Sequence, residues 1–462
     1  MATTVTIGSN QNISSNTTSG TSGSGPYVIT FTSSVDSKVV VGDIYVISDE
    51  ASHFGTYTYL VTAISGSNYT LKQVDDGGAG MGDMTPHGNF MDFSYSQVAG
   101  VFKRAFADIG DFEVHVNLAS PKYFGSSDDV IGQMHADSTF TDARTYFDNS
   151  RSLSSVTLSA ADGQRHGGTD GAGTSQVVIE PTANAGHNNG IIDINIDNFI
   201  LEFVDINLDS LDSRDTNKAI VFRGTNDDNV IRNNMIHDKG GNPGGTGPFM
   251  MHIVGAGASS DTLSILNNFI YNIIEQTGDN AAAMLLNEWS GTVNVYNNTI
   301  YNIQSQGSSK IAFGIRSAHV SGSTSNIKNN IVAKLVGDNG ERAFEDGIAN
   351  GSAGTFNEAY NLSDDTSETA YDARGTGSLA NKTISEIDFE SSAVANETQR
   401  DAVDLRIGSD SVCVGAGVDL GSTNGVNIDI AGTTRSGDWS IGAFHVAAAS
   451  DTGSPAFLMF VT

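Results

Sequence analysis

Four polar side chains in the middle of the chain recur at intervals of roughly 30 residues, so they could lie on one functional face of a repeating structure. They are Arg223, His252, Asn287 and Arg316. With the neighbouring Glu288, His252 and Arg316 are the candidates for the proton transfers that cleave a polysaccharide. Arg223, Asn287 and Arg316 are the candidates for binding one.

The same side chains would also be expected on any solvated strand face, and the sequence favours this simpler interpretation. No aligned pair of carboxylates appears on that face, although the usual route of glycoside hydrolysis requires two. The sequence therefore favours a non-enzymatic role. Polysaccharide degradation is the enzymatic alternative.

Three aspartates, Asp205, Asp209 and Asp212, crowd one short stretch. Carboxylate oxygens in loops are ligands that Ca²⁺ prefers, so calcium is the one cofactor that the sequence suggests. The Asp-x-Asp-x-Asp-Gly loop that would make this signal specific is missing, and solvated carboxylates are the favoured alternative. The ten histidines show no His-Glu-x-x-His or Cys/His spacing, so zinc is not expected.

A repeated pair of asparagines indicates the elements that must position these side chains. Counting first asparagines, the steps are 34 (233 to 267), 30 (267 to 297) and 32 (297 to 329). A period that wanders around ~30 residues is typical of a solenoid whose coils differ in loop length. The pairs are Asn233-Asn234, Asn267-Asn268, Asn297-Asn298 and Asn329-Asn330, with a weaker copy at Tyr360-Asn361.

Short runs of alternating apolar and polar residues flank each pair and are bounded by Gly, Ser, Asn and Asp, which predicts strands and not helices. Asparagine tolerates left-handed backbone angles, so each pair fits a turn. In coils stacked at the strand spacing of ~4.8 Å the asparagine amides could also bond one another in a ladder. The alternative is an antiparallel sheet with ordinary Asn-Asn turns, which the periodicity disfavours.

Counting from the second asparagine of each pair predicts one inward row, formed by Ile253, Leu286, Ile315 and Ile348. Their neighbours should point outward, because side chains alternate along a strand. The four polar residues described first, with Glu288 and Glu345 nearby, are therefore expected on one outer face.

Composition divides the chain into six parts. A short helix at 97–107 is expected to cap the open end of the solenoid, and a strand at 113–118 is expected to belong to its first coils. The parts are a Ser/Thr/Asn-rich flexible arm (1–25), a small β domain with four strands (26–76), a Gly- and Met-rich linker (77–91), a solenoid with its N-terminal cap (92–400), closing coils and a cap (401–446), and an apolar tail (447–462).

Charge and targeting signals exclude several partners. A net charge of −30, from 53 acidic and 23 basic residues, argues against nucleic acid and an anionic membrane surface, which both require Lys and Arg. The single cysteine, Cys413, allows no intrachain disulfide. No signal peptide or transmembrane run is visible, which is the expectation for a virion protein released by lysis.

Two segments carry a resemblance to a known group of proteins. The unit with Val41-Gly42-Asp43 and the hairpin from Tyr59 to Val74 resembles small β domains near the N-termini of phage tail and other virion proteins. The segment from Asn427 to Arg435, followed by Trp439-Ser440-Ile441-Gly442-Ala443-Phe444, is similar to the closing segment of right-handed parallel β-helix proteins of phage virions and bacterial surfaces. Ser440 stands where that group usually has an acid that pairs with the arginine.

This resemblance implies an all-β chain, namely a right-handed parallel β-helix solenoid with a small N-terminal β domain and a C-terminal cap. It implies a structural virion protein, either a spike, a fibre or a capsid decoration, that contacts other virion proteins and surface glycans. The apolar tail is expected to tuck against its own solenoid or to add a strand to a neighbouring subunit in a homotrimer. A depolymerase or a secreted bacterial adhesin remains an alternative.

Overall fold

The structure is a computed structural model that describes most of the chain. The linker at 77–91, the greater part of the apolar tail, Asp212 and Glu288 lie outside the described residues. The residues that it leaves out are 1, 10–13, 21–26, 32–34, 36, 49–55, 76–97, 119–123, 125–126, 138, 149–152, 170–175, 184, 187–188, 212–217, 225–226, 241–247, 255–259, 276–278, 288, 307–308, 320, 349–353, 365–369, 393–402 and 448–462.

Three parallel sheets run along the axis of a β-solenoid, and each coil crosses sheet A, then sheet B, then sheet C. This confirms the predicted all-β class with stacked parallel coils. With strands numbered in chain order, sheet A holds β1 (Ala2–Ile7), β8 (Asp129–Met134), β10 (Ser155–Ala160), β13 (Phe199–Glu202), β16 (Asn229–Arg232), β19 (Thr262–Leu266), β22 (Thr292–Tyr296), β25 (Thr324–Lys328) and β28 (Thr355–Ala359).

The other two sheets contain seven strands each among the described residues. Sheet B holds β11 (Val178–Ile179), β14 (Asp205–Asn207), β17 (Met235–Gly240), β20 (Phe269–Glu275), β23 (Thr299–Ser305), β26 (Ile331–Gly337) and β29 (Leu362–Ser363). Sheet C holds β9 (Thr145–Asp148), β12 (Ile192–Asn195), β15 (Ile220–Arg223), β18 (Phe249–Val254), β21 (Ala281–Asn287), β24 (Ala312–His319) and β27 (Glu341–Ile348).

Inward side chains stack coil upon coil into one apolar core. In sheet A, for example, Leu201, Ile231, Ile265, Val295 and Ile327 pair in succession and are all fully buried. Burying an aliphatic side chain of this size stabilises the fold by about 1.5–3 kcal/mol. The core therefore consists of axial rows of similar residues, which is why the sequence repeats.

The predicted inward row in sheet C is wrong in register. Ile253 does pair with Leu286, but Leu286 pairs with Ser317, and Ile315 pairs with Met284. The loops between sheets B and C differ in length, so a residue count from the asparagine pair does not keep the register. The shift is two residues, and for this reason Ile315 still points into the core.

The asparagine pairs combine two separate functions in one turn between sheets A and B. The first asparagine of each pair has the predicted left-handed backbone, with φ between 55° and 57° at Asn233, Asn267, Asn297 and Asn329. The second asparagines form the predicted ladder, in which each Nδ2 donates to the Oδ1 of the next coil. The distances are 3.1 Å for Asn234–Asn268, 3.0 Å for Asn268–Asn298, 3.0 Å for Asn298–Asn330 and 3.1 Å for Asn330–Asn361.

A small antiparallel barrel is inserted between β1 and β8, at the N-terminal end of the solenoid. It is closed by six strands and not by the four that the sequence predicted, because residues on both sides of 26–76 join it. Its strands are β2 (Ser14–Gly20), β3 (Tyr27–Phe31), β4 (Ile44–Ser48), β5 (Thr56–Ser65), β6 (Asn68–Asp75) and β7 (Val98–Lys103).

The predicted flexible arm at 1–25 contains two strands in the structure. One of them, β1, pairs in parallel with β8 and so extends sheet A of the solenoid, and the other, β2, belongs to the barrel. Val5 and Ile7 are fully buried in the main core. These apolar residues explain why β1 is packed although the segment is rich in Ser, Thr and Asn.

The capping helix exists, but it lies later in the chain than predicted. The helix α1 spans Ile109–Asn117, where the sequence predicted a strand, and β7 occupies the predicted helix. The Asp108 carboxylate accepts a hydrogen bond from the Asp111 N–H and caps the helix, while Ile109, Phe112 and Val116 are buried on one side.

After the last coil the chain forms a cap and then folds back. The cap includes the one-turn helix α2 (Ile384–Ile387) and β30 (Phe389–Ser391), which pairs with β31 (Asp404–Ile407). Residues 403–446, here named the C-terminal strap, lie against the outer face of sheet B and add a second apolar core around Phe269, Tyr271 and Tyr301. The closing coils predicted at 401–446 are therefore wrong, because the apolar outer face of sheet B is what this segment buries.

Candidate functional site

The four polar residues singled out in the sequence lie on the outer face of sheet C, in two neighbouring rows. His252 pairs with Leu285, Leu285 with Arg316, and Arg316 with Glu345, which makes one row along the axis. Arg223 and Asn287 stand in the next row, two residues further along their strands. Glu288 lies outside the described residues.

At one end of this face, the carboxylate of Asp193 is held by two arginines. Arg144 Nη2 lies 2.5 Å and Arg223 Nε lies 3.3 Å from Asp193 Oδ2. The Gly190 N–H donates to Asp193 Oδ1 at 2.9 Å, and Arg223 Nη2 also donates to Asn189 Oδ1 at 3.0 Å. Asp193 is fully buried, so this acid has the charge partners that burial demands.

At the other end, Glu345 is held in the same manner. Arg316 Nε lies 2.8 Å from Glu345 Oε2, and Arg342 Nη1 lies 2.5 Å from Glu345 Oε1. The guanidinium of Arg316 also lies over the ring of Phe313, at 4.9 Å from its centroid. Asp193 and Glu345 are thus each committed to two arginines on neighbouring positions.

His252 lies between these two clusters. Burial lowers the pKa of His252 to about 4, and the positive charges of Lys218 and Arg223 add to this shift. The ring is therefore neutral at pH 7, and it contacts Phe249 edge-on at 5.6 Å between centroids. A neutral histidine beside two cations can bind a ligand or accept a proton, but the described residues place no acid in contact with it.

The calcium candidates do not form one cluster in the described part of the chain. The carboxylate of Asp205 is buried, with Oδ1 at 2.7 Å from His237 Nε2, while Asp209 is exposed on the turn Asp209–Leu211. No group of three or more His, Cys, Asp or Glu side chains within the described residues could hold a metal ion. Because Asp212 lies outside them, calcium binding there stays a prediction.

The first asparagines of the pairs, which the sequence analysis assigned to turns and to an amide ladder, also hold the C-terminal strap. Their Nδ2 groups donate to strap carbonyls: Asn233 to Ile428 O at 3.0 Å, Asn267 and Asn297 to Val426 O at 3.2 and 3.1 Å, and Asn329 to Val418 O at 2.8 Å. The repeat was visible in the sequence, but its partner lies as many as 195 residues away. No local signal could have shown it.

Arg435 closes the strap without a carboxylate hydrogen bond among the described residues. It is buried, and it donates to the backbone oxygens of Ser440, Gly442 and Ala443 and to Asn267 Oδ1. Burial lowers its pKa to about 10. Ser440 stands where similar proteins usually have an acid that pairs with the arginine. In this structure the backbone oxygen of Ser440 accepts a hydrogen bond from Arg435 instead.

A groove that the sequence analysis missed lies on the outer face of sheet A, against the strap. It has a volume of about 580 Å³. A Thr-x-Asn phrase recurs at 292–294, 324–326 and 355–357, but only Asn294 of these residues lines the groove, so the phrase did not indicate its position. The groove is lined by Ser155, Asn198, Ile200, Asp228, Val230, Thr262, Ser264, Leu266, Asn294, Tyr296, Leu420, Thr423, Asn424 and Val426.

Comparison with known proteins assigns no family. No family model matches the chain, and no curated protein matches it. Among solved structures, the tailspike protein gp49 from Pseudomonas phage LKA1 is a weak neighbour at 12% identity and a TM-score of 0.13, over 82% of this chain and 65% of that chain. This chain thus spans about 65% of the tailspike's length, and a similarity of this size carries no argument. Among the described residues, no helix is long and apolar enough to cross a membrane.

Proposed function

We propose that this chain is a structural protein of a virion surface, forming the rod of a spike, a fibre or a capsid decoration. Other virion proteins and further copies of the chain, in a homotrimer, are the proposed partners. The rod projects from the particle, and the barrel at its N-terminal end is the attachment module.

The observation that carries the proposal is the axial bonding that runs through the rod. The second asparagines join successive coils inside the turn, and the first asparagines join the same coils to the strap outside it. Each coil from Asn233 to Asn329 is thereby held twice. A solenoid built this way resists local opening, which is what a particle-surface protein exposed to the environment requires.

The junction between barrel and rod supports the same function. Arg104 follows the last barrel strand, and its Nη1 lies 3.0 Å from Asp43 Oδ1 in the barrel, while its Nε lies 2.7 Å from Asp137 Oδ2 in the solenoid. Thr6 Oγ1 in β1 donates to Asp43 Oδ1 at 2.7 Å. Arg104 and Asp43 are both buried, so the barrel is fixed to the rod and can transmit its orientation.

Asp193 and Glu345, on the outer face of sheet C, are each neutralised by two arginines, and this favours a structural use of that face. The charges bridge neighbouring coils, because Asp193 and Arg223 come from adjacent strands, as do Arg316 and Glu345. Such clasps stabilise the stacking of coils. Glycan contact by Arg223, Asn287 and Arg316 remains a proposal.

Immunogold electron microscopy tests the proposed function directly. Antibodies raised against the purified chain should label the surface of intact particles of the virus that encodes it. The same serum, once adsorbed with the purified chain, should not label them. Labelling confined to bacterial cell surfaces would instead favour the adhesin alternative. Release of reducing ends or unsaturated sugars from polysaccharides by the purified chain would favour the depolymerase.

A further inference from the structure

The groove between sheet A and the strap has an apolar floor and a hydrogen-bonding rim. Val230, Leu266 and Val426 are buried together beneath it, and Ile200, Tyr296 and Leu420 pack against them while remaining partly exposed. The rim is made of hydroxyl and amide side chains from both sheet A and the strap. Its volume falls within the range of small-molecule sites.

Two amide groups at the rim have hydrogen-bonding capacity left over. Asn294 Oδ1 accepts bonds from Tyr296 Oη at 3.0 Å and from Asn326 Nδ2 at 2.9 Å, which fixes the amide so that Nδ2 is the group available to a ligand. Asn424 Nδ2 donates to Ser264 Oγ at 3.2 Å, leaving Asn424 Oδ1 available as an acceptor. Within the described residues, neither Asn294 Nδ2 nor Asn424 Oδ1 has a partner.

These two groups are held in place before any ligand arrives. The Asn294 amide belongs to a ladder that continues from Asn326 to Asn357 at 3.0 Å, and Asn424 lies on the turn Thr423–Gly425 of the strap. Arg232 Nη1 fixes that turn by donating to the backbone oxygen of Asn424 at 2.7 Å. A donor on sheet A and an acceptor on the strap, both of fixed orientation, lower the entropic cost of binding.

The charge of the groove selects an uncharged ligand. Asp228 is the one carboxylic acid in its lining, and the weakly acidic phenol of Tyr296 is the other ionisable group there. No lysine or arginine lines the groove. A chain with a net charge of −30 also repels anionic polymers. Apolar ring faces with hydroxyl groups at their edges match an apolar floor with an amide and hydroxyl rim.

We propose that this groove binds a neutral glycan, with a pyranose ring packed against Tyr296 and Leu420 and its hydroxyls bonded to Asn294 Nδ2 and Asn424 Oδ1. The site goes beyond the structural role proposed above and lies on a different face from Arg223, Asn287 and Arg316.

Binding of a panel of neutral oligosaccharides to the full chain tests this proposal. The panel comprises gluco-, manno-, galacto- and N-acetylglucosamine oligomers of four to six units, and isothermal titration calorimetry is the assay. At least one oligomer is expected to bind. Asn294→Ala and Asn424→Ala should each weaken that binding at least tenfold, because each removes one fixed hydrogen-bonding group.

Matched controls separate the groove from the rest of the surface. Asn357→Ala changes the same residue type in the same row, but outside the groove, and should leave the affinity within twofold. Arg316→Ala tests the other candidate face, on sheet C, because loss of binding in that variant would assign the oligosaccharide to that face. Circular dichroism and thermal unfolding of every variant are compared with those of the wild type, to check that each variant keeps the fold.

Three outcomes would overturn the proposal. They are binding to no member of the panel, binding that Asn294→Ala and Asn424→Ala leave unchanged, and binding that Arg316→Ala abolishes. None of these results bears on whether the chain labels virus particles, so the structural function is judged separately.

Discussion

Removal of the Asn298 side chain should show how strongly the buried ladder holds the coils together. Asn298 Nδ2 donates to Asn330 Oδ1 at 3.0 Å and to Ile265 O at 2.9 Å. Asn298 Oδ1 accepts from the N–H and from the Nδ2 of Asn268, both at 3.0 Å. Asn298 Nδ2 also lies 3.1 Å from Tyr296 O, but its two hydrogens allow only two full donor bonds. Asn298→Ala therefore deletes the equivalent of four bonds and leaves their partners buried.

The expected loss follows from the count of bonds. Each buried hydrogen bond contributes about 0.5–1.5 kcal/mol, so four predict a fall of about 2–6 kcal/mol in the free energy of unfolding. Asn298 is outside the set of residues with positive φ, so alanine adds no backbone strain to this figure. Urea unfolding followed by circular dichroism measures the change, and hydrogen exchange should show faster opening of β19, β22 and β25.

The control is Asn357→Ala, which removes one amide from an exposed ladder. Asn357 Nδ2 donates to Asn326 Oδ1 at 3.0 Å, and the expected loss is below about 0.5 kcal/mol. If Asn298→Ala were no more destabilising than Asn357→Ala, the buried ladder would not be what joins the coils. The reasoning about the rod would then be refuted.

Three further perturbations test other parts of the structure. Asn297→Gly keeps the left-handed turn but loses two bonds, the one that Nδ2 donates to Val426 O and the one that Oδ1 accepts from Asn329 Nδ2. Strap amides should then exchange faster while the free energy of unfolding falls by about 1–3 kcal/mol, and unchanged exchange would contradict the strap's attachment. Arg104→Met leaves Asp43 buried without its cation and should cost about 3–5 kcal/mol, with earlier proteolysis at the barrel; wild-type stability would exclude this junction. Burial opposes the charge of His237, but its two carboxylate partners raise its pKa well above 6.5. The stabilisation that His237 contributes is therefore complete below about pH 6.5 and is lost as pH rises through the folded pKa. The difference in unfolding free energy between wild type and His237→Gln should shrink as pH rises, and a difference that grows would contradict this.

The solenoid could be predicted from the sequence because its signal is local. A left-handed turn and an amide ladder both depend on the asparagine pair itself, and the pair recurs at nearly constant spacing. The register of sheet C could not be predicted in the same way. It depends on loop lengths between sheets B and C, which moved Ile315 by two residues relative to Leu286.

Helix α1 was missed for a different physical reason. The residues from Glu113 to Leu118 alternate as a strand would, while Ile109, Phe112 and Val116 have helical spacing, and the Asp108 cap decides between the two. The helix predicted at 97–107 failed because Val98–Lys103 closes the barrel by pairing with residues 80 to 88 positions away.

The candidate site shows what alternation alone can and cannot predict. Alternation placed His252 and Arg316 on one outer face, but it could not show that Glu345 is clasped by Arg316 and Arg342. The groove on sheet A depends on a strap that returns from the far end of the chain. Contacts such as Asn267 Nδ2 to Val426 O leave no trace in local spacing.

Co-sedimentation with intact particles tests the central claim most directly. A lysate that contains particles of the virus proposed to encode the chain is separated on a density gradient. Peptides of this chain are then quantified in every fraction by mass spectrometry. The proposed structural function predicts that the chain peaks with the major capsid protein, at a constant ratio across that band. Recovery of the chain at the top of the gradient, or with cell-envelope fragments instead of particles, would contradict it.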